Sequence, residues 1–334
     1  MTAFDDLEPD HQVDALRPIA LAGAGRFGID VAQLELVVHA FNTTFRAQAT
    51  DGSTFAVRVN TNSQSSPAHV VAHHAWQRAI AAQTKVVVPV PTRTAAGTDV
   101  VVIPGGDLGR DFLVVAHSWL DGADVGECDE EQSAALGEAM AHLHAHAERW
   151  SPPPGSTLTA FDDPLFGDQD VLTDRLSTLV PGDQSTVREG WRRAAQAFVD
   201  VRRAQRPIPV HADLHGGNLK WHGGQLAIFD FDDAGIAAPS VDLAVATFYV
   251  RSGDECREVA LRAGYERVRP WPSLPREVFE GLVAGRQLLL ANSLFLSSTP
   301  NLTAMAASYL DRTVVRLRSW LDTGRFVLDP PGVD

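Results

Sequence analysis

The stretch Ile208-Pro209-Val210-His211-Ala212-Asp213-Leu214-His215-Gly216-Gly217-Asn218, followed by Leu226-Ala227-Ile228-Phe229-Asp230-Phe231-Asp232-Asp233, decides how this chain is read. Ile208 and Val210 predict a short strand leading into a turn at His211, and residues 226–229 predict a second strand that delivers Asp230 to the same place. The Gly216-Gly217 pair is expected to let the backbone double back, so that Asp213 and Asn218 face one cleft. Moving a γ-phosphoryl group from ATP to a hydroxyl needs a group that orients the acceptor and takes its proton, and ligands that hold magnesium against the phosphates. Asp213 suits the first role, and Asn218 and Asp230 supply the oxygen ligands that magnesium prefers.

The string His211-Ala212-Asp213-Leu214-His215-Gly216-Gly217-Asn218 resembles the catalytic loop of the aminoglycoside phosphotransferase and choline kinase superfamily. Ile228-Phe229-Asp230-Phe231-Asp232-Asp233-Ala234-Gly235 resembles its magnesium-binding segment. Ser118-Trp119-Leu120-Asp121-Gly122 resembles the hinge, residues 136–144 the helix after it, and Pro239-Ser240-Val241-Asp242-Leu243-Ala244 the stretch beyond the metal segment. The likeness runs over residues 34–320 in the family's order, nearest the bacterial homoserine kinase-like and stress response kinase A-like branch. It implies an α+β, bilobal protein kinase-like fold with a small antiparallel-sheet N-lobe (residues 1–117), a hinge (118–122) and a larger, mainly helical C-lobe (123–334). It also implies ATP and Mg2+ as cofactors, with adenine on the hinge backbone near Val115, Ser118 and Trp119.

Composition is consistent with this. With 334 residues, 45% of them hydrophobic, the chain has enough apolar material for a sizeable core. A net charge of −14 argues against nucleic-acid or anionic-membrane partners and is compatible with a cationic small-molecule acceptor. No apolar run is long enough to span a bilayer and the N-terminus lacks a basic, signal-like start, so the expected location is cytoplasmic. Cys128 and Cys256 lack metal-site spacing and read as ordinary thiols.

Local patterns predict the elements. The first thirty residues read as a peripheral helix. Residues 34–42, 44–50 and 54–59 read as antiparallel strands, with Asp51-Gly52 as a hairpin signal. Pro67 opens a helix to about residue 82, and strands follow at 100–103 and 112–117. Leu136, Met140, Leu143, Ala147 and Trp150 share one helical face, which places the helix from Glu130 in the C-lobe core. Further helices are expected at 184–204, 241–250, 255–267, 275–296 and 302–321.

The nucleotide side departs from the kinase pattern. The turn that would cover the phosphates, Phe41-Asn42-Thr43-Thr44, has no glycine, although its N–H groups and hydroxyls suit an anion nest. The chain has only two lysines, Lys85 and Lys220, and neither lies on the third strand, where Arg58 takes the matching place with a fork that grips two phosphate oxygens. His73 stands where the family places a glutamate on the next helix; it accepts a hydrogen bond from Arg58 in this reading, or His73 and His74 are surface residues. His211 and His215 read as accessory groups shaping the loop, and Asp232 as a second metal contact, an acceptor contact or a turn carboxylate. His142, His144 and His146 point in different directions rather than to one metal. Asp242 is expected to anchor the loop, and Asp162, Asp163, Asp168 and Asp170 either to lie in a solvated loop or, as the resemblance implies, among acceptor-binding elements.

The expected activity is therefore in-line transfer to a hydroxyl of a small molecule, an amino alcohol, homoserine-like metabolite or antibiotic. The alternatives are a serine/threonine protein kinase of the stress response type and a nucleotide-binding pseudokinase with a regulatory role.

Overall fold

The structure, a computed structural model, describes residues 3–61, 66–251 and 255–330. Strands β1 (Val31–His39), β2 (Thr43–Ala49), β3 (Thr54–Val59), β4 (Val101–Pro104) and β5 (Asp111–Ser118) form one antiparallel sheet in the order β1-β2-β3-β5-β4. Paired residues of an antiparallel sheet point to the same face. The rows Phe45–Val57–Ala116 and Thr43–Val59–Val114 are buried on one face, whereas Thr44–Arg58–Val115 lies on the other, toward the cleft.

The buried face packs against helix α1 (Pro9–Arg26), whose Leu16, Ile19, Ala20 and Ala24 join Phe45, Val57, Phe112 and Val114 in one core cluster. The N-terminal helix is thus not peripheral: it closes the sheet's back. Its pattern hid this, because small residues (Gly23, Ala24) lie where the helix comes closest to the sheet; a Cβ at Gly23 would sit 2.5 Å from Val114.

Helix α2 (Pro67–Gln83) starts at the Ser66 cap, which accepts the His69 N–H at 3.2 Å. It bridges the lobes. Trp76 is fully buried in the second, larger core cluster, edge-on to Phe231 at 5.6 Å.

That larger cluster belongs to the helical lobe: α3 (Glu130–Ala147), α4 (Leu172–Arg175), α5 (Pro181–Ala204), α6 (Pro239–Val250), α7 (Glu255–Glu266), α8 (Arg276–Leu296) and α9 (Pro300–Thr323). Helix α3 begins with a complete capping box between Asp129 and Gln132 and buries Leu136, Met140, Leu143 and Ala147 as its periodicity predicts. Trp150 falls past its end and is only partly buried.

Small strands carry the loops that hold Asp213, Asn218 and Asp230. β6 (Ala123–Asp124), β9 (Leu219–His222) and β10 (Gln225–Ile228) make one three-stranded sheet, and β7 (Thr159–Ala160), β8 (Ile208–Val210) and β11 (Gly235–Ala237) another. Among the described residues no helix is long and apolar enough to cross a membrane.

Candidate active site

Asp213 follows β8, and Asp230 follows β10. The chain turns at each end through left-handed backbone at Ala212 (φ 67°) and Asp230 (φ 65°), not through glycine as the sequence pattern predicts. Such conformations are strained for side-chain-bearing residues and persist only where the surroundings hold them. Ala212 is held by its N–H donating to Asp242 Oδ1 at 2.7 Å. Asp242 Oδ2 lies 2.9 Å from His144 Nε2, and His144 Nδ1 lies 3.0 Å from the Tyr265 hydroxyl. His144 and Asp242 are fully buried, so this network sets the loop from the core. Gly216 serves close approach instead: a Cβ there would lie 1.7 Å from the Gly126 carbonyl oxygen.

Asn218 donates through Nδ2 to the Asp213 carbonyl at 2.9 Å and to its carboxylate at 2.8 Å. Its amide nitrogen is thereby committed, which leaves the amide oxygen as its free metal-binding atom. Asp230 accepts from Arg58 Nη1 at 2.7 Å through Oδ1, leaving Oδ2. Two oxygen donors fit magnesium, which is held by one or two protein groups together with phosphate oxygens and water. Among the described residues no group of three or more His, Cys, Asp or Glu side chains is placed to hold a metal ion.

The two loop histidines have assigned jobs. His211 donates Nε2–H to the Phe229 carbonyl at 3.0 Å and accepts the Asp213 N–H at Nδ1, which ties the two strand ends together. His215 accepts the Gly217 N–H at 3.0 Å, stacks on Tyr249 at 4.5 Å, and places Nε2 3.5 Å from Asp213.

The group the sequence pattern missed is Arg286, on α8. Its Nη2 donates to Asp213 Oδ1 and, at 2.9 Å, to the Tyr249 hydroxyl. Burial alone would push the Asp213 carboxyl up, but Arg286, with His215 and His211 adding, holds it well below the ordinary carboxylate range. A signal was present, since Arg286 is a lone charge in the apolar run of residues 282–290.

On the donor side the expected residues divide. Asn42 and Arg58 line the cleft with Phe41, His69, Asp168, Asp213, Asp230, Asp232 and Asp233. Thr44 shares Arg58's face of the sheet. Thr43 does not: it is fully buried on the α1 side, with its hydroxyl 2.7 Å from His39 Nδ1, because strand alternation turns it away from phosphate. Val115 lies in the Arg58 row and is buried. At the hinge, the Ser118 N–H donates to the Val90 carbonyl at 2.9 Å and the Trp119 N–H to the Thr54 carbonyl at 3.2 Å. Both N–H groups are therefore already bonded within the protein.

His73 does not bond Arg58, nor are His73 and His74 on the surface. Both are buried: the His73 ring nitrogens make no hydrogen bond, His74 Nδ1 lies 3.9 Å from Asp99 Oδ1, and the rings meet His69 and His117 tilted or edge-on at centroid distances of 4.7–5.4 Å. Burial holds both below the usual histidine value of 6.5, His73 well below it. The unfolded chain therefore binds more protons once pH falls below about 6.5, so the stability these residues contribute is complete above that pH and is lost on acidification. His73 is expected to cost about 1.4 kcal/mol per pH unit in that range. Melting curves at pH 7.5 and 5.5 should show this fall, and His73→Leu should flatten it; an unchanged slope in the variant would refute the assignment.

Asp168 departs from the solvated-loop expectation. It lines the cleft near the stacked Phe161–Phe166 pair (4.3 Å), and burial, with Asp163 nearby, raises its carboxyl.

A two-lobed fold whose cleft gathers an acid, an amide and a second acid on two adjoining turns is that of the kinase-like phosphotransferases. The chain belongs to the phosphotransferase enzyme family, whose model matches residues 37–273. It is 26% identical over 219 residues to amicoumacin kinase of Bacillus subtilis (strain 168), covering 64% of this chain and 61% of that protein. It is 30% identical over 201 residues to homoserine kinase of Methylobacterium sp. (strain 4-46), covering 57% of each. The matched regions thus span less than two thirds of these curated relatives. Among solved structures, the microcompartment-associated aminopropanol kinase superposes with a TM-score of 0.76 at 20% identity, covering 93% of this chain and 100% of that one. Amicoumacin kinase hAmiN in complex with AMP-PNP, Ca2+ and Ami superposes with a TM-score of 0.66 at 19% identity, covering 91% and 96%. These likenesses show the fold.

Proposed function

We propose that this protein is an ATP- and Mg2+-dependent O-phosphotransferase that moves the γ-phosphoryl group to a hydroxyl of a small molecule, an amino alcohol, homoserine-like metabolite or antibiotic. The observation that carries this is the commitment of the Asn218 amide nitrogen to Asp213, which aligns an acceptor-facing carboxylate and a metal-facing amide oxygen in one turn. In this reading Asp213 orients the acceptor hydroxyl and accepts its proton, and Arg286 holds that carboxylate in place. Asn218 and Asp230 hold magnesium, which when bound neutralises phosphate charge. Arg58 steadies the donor phosphates beside Asn42 and the backbone of the covering turn.

A cationic acceptor suits the cleft. Its lining carries five aspartates (Asp168, Asp213, Asp230, Asp232 and Asp233) against two arginines (Arg58 and Arg286), and both arginines already face aspartates. Asp168 and the Phe161–Phe166 pair offer an ammonium an anion and aromatic surface. The cleft volume of about 340 Å3 suits a small acceptor. The reading extends to lobes at residues 1–117 and 123–334 joined by 118–122, and to a cytoplasmic enzyme without nucleic-acid or membrane partners.

The test is an ATP-consumption screen of the purified protein against hydroxylated amino alcohols, amino acids and antibiotics. Turnover with at least one of them, lost on chelating Mg2+, is the expected result. Label transferred to protein instead would favour a protein kinase, and Mg-ATP binding without transfer to any acceptor would favour a regulatory pseudokinase.

A further inference from the structure

We propose that Asp232 is a countercharge of Arg58, doing from the metal segment what His73 cannot do from α2, and that the same carboxylate latches the glycine-free covering turn to the helical lobe. This rests on the ATP-binding function proposed above.

A half-hidden guanidinium needs a stable anion beside it, since an unpaired buried charge is costly. Helix α2 supplies none: His73 is buried, makes no hydrogen bond, and is kept neutral by burial and by Arg58 itself among its neighbours. Arg58 turns to the helical lobe instead. Its Nη1 bonds Asp230, and its Nε lies 3.2 Å from Asp232 Oδ2, a contact of charge rather than a formed hydrogen bond.

These two carboxylates are not equivalent. Asp230 is the one that would hold the metal in the proposed mechanism, so its charge would be shared in the loaded enzyme. Asp232 is the more deeply set, 8% exposed against 28% for Asp230; burial raises its carboxyl and Arg58 beside it acts the other way. It is also gripped from two further elements: Asn42 donates to Oδ2 at 3.1 Å, and its carbonyl lies 2.9 Å from His69 Nε2 of α2. Asn42 in turn accepts the Thr61 N–H at 3.0 Å. The covering turn, strand β3 and helix α2 therefore converge on one residue of the helical lobe. That arrangement accounts for both departures on the donor side: the turn is held by Asn42 rather than shaped by glycine, and Arg58 is oriented without a helix glutamate. Asp232 acts through Arg58 and Asn42 and is a positioning residue.

The experiment measures Mg-ATP affinity by calorimetry, with KM and kcat, for wild type, Asp232→Asn and the double variant Asp232→Asn/His73→Glu. Asp232→Asn keeps the shape and removes the charge. It should weaken Mg-ATP binding and raise KM for ATP by about 10- to 100-fold, the loss of one charged contact, with kcat and the acceptor KM changed far less. Glutamate at position 73 returns an anion to the Arg58 side and should recover part of that affinity, which a purely structural defect would not. Asp232→Asn binding Mg-ATP as tightly as wild type, or no recovery in a double variant with wild-type melting behaviour, overturns the proposal. A wild-type protein that binds no Mg-ATP would instead remove the function on which it stands.

Discussion

Asp213→Asn is expected to lower phosphoryl transfer by about 10²- to 10⁴-fold, the usual contribution of a positioned general base, while Mg-ATP affinity stays within a few-fold of wild type. The substitution is nearly isosteric and removes the proton acceptor. Asn218 can still donate to the Asp213 backbone carbonyl, so the turn should survive. The measurements are single-turnover transfer with the best acceptor from the screen and calorimetric titration with Mg-ATP. Turnover above a tenth of wild type would remove Asp213 from the mechanism.

Arg286→Leu should be the next most damaging change and should act on both stability and rate. Arg286 is 6% exposed and spans from Asp213 to the Tyr249 hydroxyl. Removing it leaves the Asp213 carboxylate without its cation, and breaking one side of a buried pair costs about 3–5 kcal/mol. A carboxylate free to shift by an ångström also loses alignment with the acceptor, worth about 10²-fold in kcat. Arg286→Lys retains charge but not the fork that bonds two partners, so it should recover stability better than rate. Equal kcat in wild type and Arg286→Leu would mean that the pair is only structural.

Much of the fold was legible because the signals are local. Pro67 and Ser66 start α2, Asp129 and Gln132 cap α3, and Asp51-Gly52 joins β2 to β3. The turns carrying Asp213, Asn218 and Asp230 follow strands that the apolar runs predicted. Three features were less legible. Helix α1 looks peripheral by sequence because it approaches the sheet through small residues rather than a broad apolar stripe. His73 and His74 of α2 look like surface residues because imidazole is commonly exposed, yet here they are buried ring against ring. Thr43 and Thr44 are equivalent by composition, and only the strand register separates the one that faces α1 from the one beside Arg58.

The sequence by itself determined the kinase-like architecture and pointed to Asp213, Asn218 and Asp230 as candidates, since these depend on residue types at short, fixed spacings along single turns. Tertiary structure decided which charges meet. Arg58 reaches Asp230 across 172 positions, Asn42 reaches Asp232 across 190, and Arg286 reaches Asp213 across 73. Such pairings depend on how the sheet lobe seats on the helical lobe and on which face each side chain leaves, and neither is written in any local pattern.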